Sequence, residues 1–285
     1  MPKIDQHSEP ISLTCSSSTL RRADLPTRVA AASAAGFTGL GFRVADYADS
    51  GMELPAIRDL LDRHAMRTLE VEHTWDWALR QVDPVEEAMF AFARAVGFRQ
   101  LNVPMFYPHT SVELVRGFGE LCDRAADFGV LVGFEFLPYS HVAALADAWA
   151  IVEAADRPNG GVIIDLWHWF RSDSQAADLG RVPVEKITSL QLCDVLHVPR
   201  ADLTEEARHH RLLPGQGAGA TARILDALHG QGFSGPVSVE VFSDDLDAKP
   251  TATAAGLAFD AGADVLRQAG IRPEPWFTNH DRACR

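Results

Sequence analysis

Residues 130–165 read VLVGFEFLPYSHVAALADAWAIVEAADRPNGGVIID, and this stretch decides the fold. It opens with a short apolar run, 131–136, that ends in Glu135 and Phe136. A helical pattern follows over 141–154, with Ser140 placed to start it. A second apolar run, 161–166, then carries Asp165 near its end. Two short runs rich in Val, Ile and Phe, joined by a helix, predict parallel strands buried on both faces.

The same unit recurs in both directions. Strands are predicted at 11–15, 38–43, 67–72, 100–104, 131–136, 161–166, 187–192 and 237–242. Helices are predicted at 25–35, 56–64, 85–96, 111–128, 141–154, 220–229 and 254–269. Several helices stop at a glycine just before the next strand: Gly36, Gly97, Gly129 and Gly230. Eight strand–helix units predict one (β/α)8 TIM barrel spanning 1–285, with a C-terminal tail at about 270–285. An open doubly wound sheet is the competing architecture, but the first strand–helix turn, 16–24, lacks the GxGxxG phosphate fingerprint. The long connection 193–219 reads as a loop, and loops of that length are usually functional.

Composition narrows the function. The formal net charge is −13, which disfavours broad contact with nucleic acid. Lys3, Lys186 and Lys249 are the only lysines, and none ends a predicted strand, so Schiff-base chemistry has no lysine to use. Cys15, Cys122, Cys193 and Cys284 show neither CxxC nor metal-finger spacing. Reduced thiols, no apolar leader and no membrane-length run give the expectation of a cytoplasmic protein.

In a barrel of this kind the chemistry sits where the strands end. Four consecutive strands deliver an oxygen donor there: Glu135, Asp165, Gln191 and Glu240. Each alone reads equally well as a salt-bridged or solvated residue. As a set they do not, because three carboxylates and an amide cannot neutralise one another, and an uncompensated buried carboxylate is costly. A divalent cation resolves the conflict. All-oxygen donors favour Mg2+ or Mn2+, with Zn2+ or Co2+ as lesser candidates.

The motifs GFEF (133–136), IIDLWHWFR (163–171), LQLCD (190–194), RLLPGQG (211–217) and SVEVF (238–242) resemble the xylose isomerase-like TIM barrel superfamily, the sugar phosphate isomerase/epimerase family. They cover about the C-terminal half of the chain. The resemblance implies one metal held by Glu135, Asp165, Gln191 and Glu240. It places His168 beside the metal against substrate, and turns Arg211 toward the site. It also makes a homodimer or homotetramer an expectation. Ketose epimerases of this family usually carry histidine where Gln191 stands. Glutamine there is similar to some dehydroshikimate dehydratases.

Further residues are candidates for the substrate itself: His73, Arg171 and Trp167 beside Arg211. Arg43 and Glu72 also end predicted strands, and Trp169 flanks His168. The proposed substrate is a small carbonyl or polyol compound. Its α-proton is too weakly acidic for a side chain to remove unless the developing enolate charge is stabilised. Glu135 or Glu240 would take that proton, with His168 as a third catalytic residue. Isomerisation or epimerisation through an enediolate is the first reading, and dehydration of the 3-dehydroshikimate or inosose type is the alternative. An abasic-site endonuclease and a non-catalytic binding subunit are remote readings. The nuclease would need a histidine-rich zinc cluster that these residues do not supply.

Overall fold

The computed structural model describes residues 11–72, 77–78 and 84–273. Eight parallel strands close a barrel in chain order. They are β1 (Leu13–Cys15), β2 (Gly39–Arg43), β3 (Arg67–Glu72), β4 (Gln100–Pro104), β5 (Leu131–Glu135), β6 (Gly160–Asp165), β7 (Ile187–Leu192) and β8 (Val237–Val239). The ring is sealed where β8 pairs with β1, setting Thr14 beside Ser238 and Cys15 beside Val239.

The helices form where local signals place them. Helix Leu25–Ala35 starts at Asp24, whose side chain accepts from Thr27 N, and stops at Gly36 with φ 113°. Helix Ser111–Ala126 opens with a reciprocal cap between Thr110 and Glu113. Helix Leu145–Ala155 begins four residues later than the predicted 141. The Ser140 hydroxyl binds the Val142 amide, and the Leu137 amide binds the Val142 carbonyl, so this segment is a turn.

Four strands are shorter than the apolar runs that predict them, and β8 loses the most, ending at Val239 rather than 242. Beyond Val239 the ladder gives way to loop and side-chain partners: the Val241 amide donates to Thr19 Oγ1, and the Arg211 amide donates to the Phe242 carbonyl. The connection 193–219 is not a plain loop, since it contains the helix Leu203–His209, capped by Asp202. The short helix Leu166–Arg171 was also hidden in sequence, as its one-and-a-half turns follow directly on β6.

Side chains alternate across each strand. Phe134 points outward, packing edge-on to Trp77 and beside Phe118. Its neighbour Glu135 therefore points inward. The barrel interior is more polar than the apolar strands suggest. Asn102 donates to Glu70 Oε2, Ser238 donates to Glu70 Oε1, and Gln100 donates to Asn102 and Ser189. Gly41 makes room for this network, because a Cβ there would lie 2.8 Å from Glu70 Oε1. Among the described residues, no helix is long and apolar enough to cross a membrane.

Candidate metal centre and active site

A cavity of about 690 Å3 opens at the C-terminal mouth of the barrel. Glu135, His168, Gln191, Arg211 and Glu240 line it, with Tyr139 and Phe242 among its aromatic walls. The strands set this convergence. Glu135 and Asp165 are the last residues of β5 and β6, Gln191 pairs in register with Asp165, and Glu240 follows β8 directly.

Glu135, Asp165 and His168 each offer a ligand atom within 4.8 Å of the other two, close enough to hold one metal ion. His168 Nε2 lies 3.2 Å from Glu135 Oε1 and 4.0 Å from Asp165 Oδ2. Its backbone amide donates to Asp165 Oδ1 at 3.0 Å, so Asp165 starts the short helix that carries the imidazole. The resemblance sets His168 beside a four-residue ligand set; the structure brings it into the tightest part of the cluster. Gln191 is buried, and its Oε1 has no hydrogen-bond partner among the described residues. A buried amide oxygen left without a donor is unusual and costly. A cation suits it, and so does the donor chemistry of carboxylates, imidazole and amide oxygen around it.

Glu240 stands at the edge of this group. Its Oε1 accepts from the Ser16 hydroxyl at 2.8 Å, and its Oε2 lies 3.6 Å from Arg211 Nη1. Burial pushes its carboxyl well above the usual range, and Arg211 only partly opposes this. Asp165 behaves oppositely. Burial would raise it, but the Arg211 guanidinium and His168 outweigh burial and hold it below its ordinary value.

Arg211 brings a buried positive charge to the site. Its Nη1 is 2.6 Å from Asp165 Oδ2, its Nε donates to the Ala207 carbonyl, and its guanidinium lies over the rings of Phe242 and Trp167. The segment RLLPGQG is pinned by Asp194, whose Oδ1 accepts from the Val195 and Gly219 amides. Gly217 is required there, since a Cβ would lie 2.1 Å from the Val195 carbonyl oxygen.

Two expected substrate residues are placed elsewhere. Arg171 does not line the cavity: it pairs with buried Glu206 at 2.7 Å and donates to the Leu196 carbonyl. Trp167 is fully buried behind His168, their rings perpendicular at 5.4 Å, and it too stays off the cavity wall. His73 lies outside the described residues. Tyr139, which touches both the Trp167 and His168 rings, went unread in the sequence. So did Glu70 and Asn102, since no motif marks an inward polar pair between distant strands.

A family model described as xylose isomerase-like TIM barrel matches residues 29–268. The chain belongs to that family. This agrees with the closed eight-stranded barrel and with the motifs at its mouth. A 3-dehydroshikimate dehydratase of Pseudomonas aeruginosa is 29% identical over 245 residues, covering 80% of this chain and 37% of that protein. The chain thus spans little more than a third of the length of that relative. An inosose isomerase of Halalkalibacterium halodurans is 34% identical over 149 residues, covering 52% of each chain. Among solved structures, the IOLI protein with a binding zinc atom superposes with a TM-score of 0.80 at 21% identity, covering 91% of this chain and 99% of its own. At that identity the likeness speaks for the fold alone.

Proposed function

We propose that this family member is a metal-dependent dehydratase of a polyhydroxylated keto compound, working by enolisation and loss of a β-hydroxyl. The observation that carries the metal-dependent enolisation is the cluster of Glu135, Asp165 and His168 together with the unpartnered oxygen of Gln191, which pairs in register with Asp165. Glu135, Asp165, Gln191 and Glu240 are the residues that would hold the cation, with His168 close enough to share in it. Magnesium or manganese suits the oxygen-rich set, and a structural relative of the same fold is described with a binding zinc atom. When bound, the cation supplies electrostatic stabilisation for negative charge developing on the substrate oxygen.

The chain's own residues do the rest. Glu135 reaches the cavity from β5 and takes the α-proton. His168 Nε2, 3.2 Å away, holds the Glu135 carboxylate in position for that step. Glu240, entering from beyond β8, faces the substrate from another side. Arg211 holds Asp165 in place and closes the cavity floor with Trp167 behind it. Tyr139, Phe242 and the aromatic wall keep water from the reacting carbon.

Dehydration is placed ahead of isomerisation for two reasons. Gln191 stands where ketose epimerases of the family usually carry histidine. The dehydratase match also extends over 80% of the chain. Isomerisation or epimerisation through the same enediolate is the second reading, and the inosose isomerase match favours it. The test is to incubate the purified chain with 3-dehydroshikimate and inososes in D2O, with Mn2+ or Mg2+ present. Deuterium entering the α-carbon with formation of a dehydrated product supports the proposal. Deuterium entering with a rearranged or epimerised ketone supports the second reading. No exchange with any of these compounds overturns both.

A further inference from the structure

Glu72 ends β3, in the half of the barrel that supplies none of the proposed cation donors. It is partly buried and lines the cavity together with Glu135, two strands away. Among the described residues it accepts no hydrogen bond and joins no ion pair. Its nearest source of positive charge is Arg43 at the end of β2. That guanidinium is already engaged: Nη2 lies 3.3 Å from Asp46 Oδ1, and Nε donates to Asp46 Oδ2. Asp46 is in turn shared with Arg28 at 3.2 Å. Among the described residues, the other charged groups that act on Glu72 are Glu135, Glu70 and Asp46, and all three are acidic.

Among the described residues, only Arg43, already held by Asp46, offsets ionisation of this carboxyl. Burial, then the charge of Glu135, raises it to about 7. Both effects favour the protonated form, and the carboxyl remains open to whatever occupies the cavity. An isolated carboxyl with only a packing role would be expected to find a donor, as Glu70 does two residues earlier with Asn102 and Ser238.

We infer that Glu72 is the general acid that protonates the departing β-hydroxyl. The assignment rests on the dehydratase reading above. In the step, the enolate electron pair forms the new carbon–carbon double bond and the β carbon–oxygen bond breaks. The Glu72 proton goes to the leaving oxygen, which departs as water. Glu72 is left as a carboxylate, and the proton first removed from the α-carbon is on Glu135. Both return to their starting states by exchange with solvent, so no oxidant or co-reactant is needed. The arrangement separates the two proton transfers across the cavity: β5 carries the base, and β3 carries the acid.

The experiment compares the wild-type chain with Glu72→Gln, loaded with Mn2+. The probes are 3-dehydroshikimate and an analogue bearing fluoride in place of its β-hydroxyl. Fluoride leaves without a proton, so it bypasses a general acid. The expected result is a loss of about 100-fold or more with the hydroxyl substrate and less than about 3-fold with the fluoride, as removal of a general acid costs roughly 100- to 10,000-fold. Deuterium exchange at the α-carbon should persist in the variant. Glutamine preserves shape and removes an acid that only Arg43 offsets, so the melting temperature should not fall; a fall shared with both substrates would mark a structural role and overturn the assignment. Equal losses for both leaving groups, or no loss with the hydroxyl, also overturn it while leaving the dehydratase reading intact. A wild-type chain that turns over neither these compounds nor an inosose overturns the dehydratase reading and the acid with it.

Discussion

Arg211 Nη1 stands 2.6 Å from Asp165 Oδ2, and both side chains are almost wholly buried. A charge pair this deep stabilises little by itself, because desolvation offsets most of its attraction. Its consequence is positional. Asp165 is held ionised and immobile at the end of β6, where it also caps the helix that carries His168.

Removing Arg211 should therefore cost far more than the pair contributes. In Arg211→Met, buried Asp165 loses its guanidinium partner. We expect the metal-free variant to lose about 3–5 kcal/mol of stability, the usual result of breaking a buried pair from one side. Excess Mn2+ should recover part of that loss, since a cation bound only by the folded chain stabilises it by mass action. Thermal melts with EDTA and with Mn2+ check this; an unchanged metal-free melting temperature would contradict it.

Gln191 gives a prediction of opposite signs. Its Oε1 is buried with no partner among the described residues. Gln191→Leu should raise metal-free stability by about 1 kcal/mol, because an unsatisfied polar atom is removed. The same change should weaken cation binding, read as a smaller upward shift of the melting temperature on adding Mn2+. Metal analysis of the wild-type chain should find one divalent ion, and the variant substantially less.

Stability should depend on pH through Glu70. Burial, opposed by hydrogen bonds from Asn102 and Ser238, lifts its carboxyl from 4.5 to about 7. The folded chain then binds a proton that the unfolded chain has released. Stability falls as pH rises from 4.5 to 7, and the full penalty holds above that range. For Glu70 the penalty amounts to roughly 3 kcal/mol. Glu72 acts in the same direction over the same window. Metal-free Glu70→Gln should show a shallower decline between pH 5 and pH 7 than wild type (a window of about two decades in proton concentration). Parallel curves would show that Glu70 does not titrate there.

Arg171 should prove structural. Its guanidinium is committed to Glu206 and to the Leu196 carbonyl, away from the cavity. Arg171→Ala leaves Glu206 buried and short of its charge partner. The expected cost is about 3 kcal/mol of stability. KM should stay within about twofold of wild type, because no uniform binding interaction is removed. A large rise in KM with an unchanged melting temperature would restore Arg171 to the substrate.

How far the chain could be read without coordinates differs from residue to residue. The alternation of apolar runs with glycine-stopped helices is local information, and it is enough to specify eight strands and their closure. Position at a strand's end is also local, so Glu135, Asp165, Gln191 and Glu240 could be named from the motifs around them. What a side chain meets across the barrel is not local. Arg171 and Arg211 carry the same guanidinium, and only packing sends one to Glu206 and the other to Asp165. His168 enters the cluster because Asp165 turns the chain into a short helix at that point, a consequence of one hydrogen bond. Glu72 is isolated because Arg43 pairs with a third residue, Asp46, which is a fact about three elements at once. Periodicity and strand ends are written along the chain; charge compensation is settled only when distant strands close the ring.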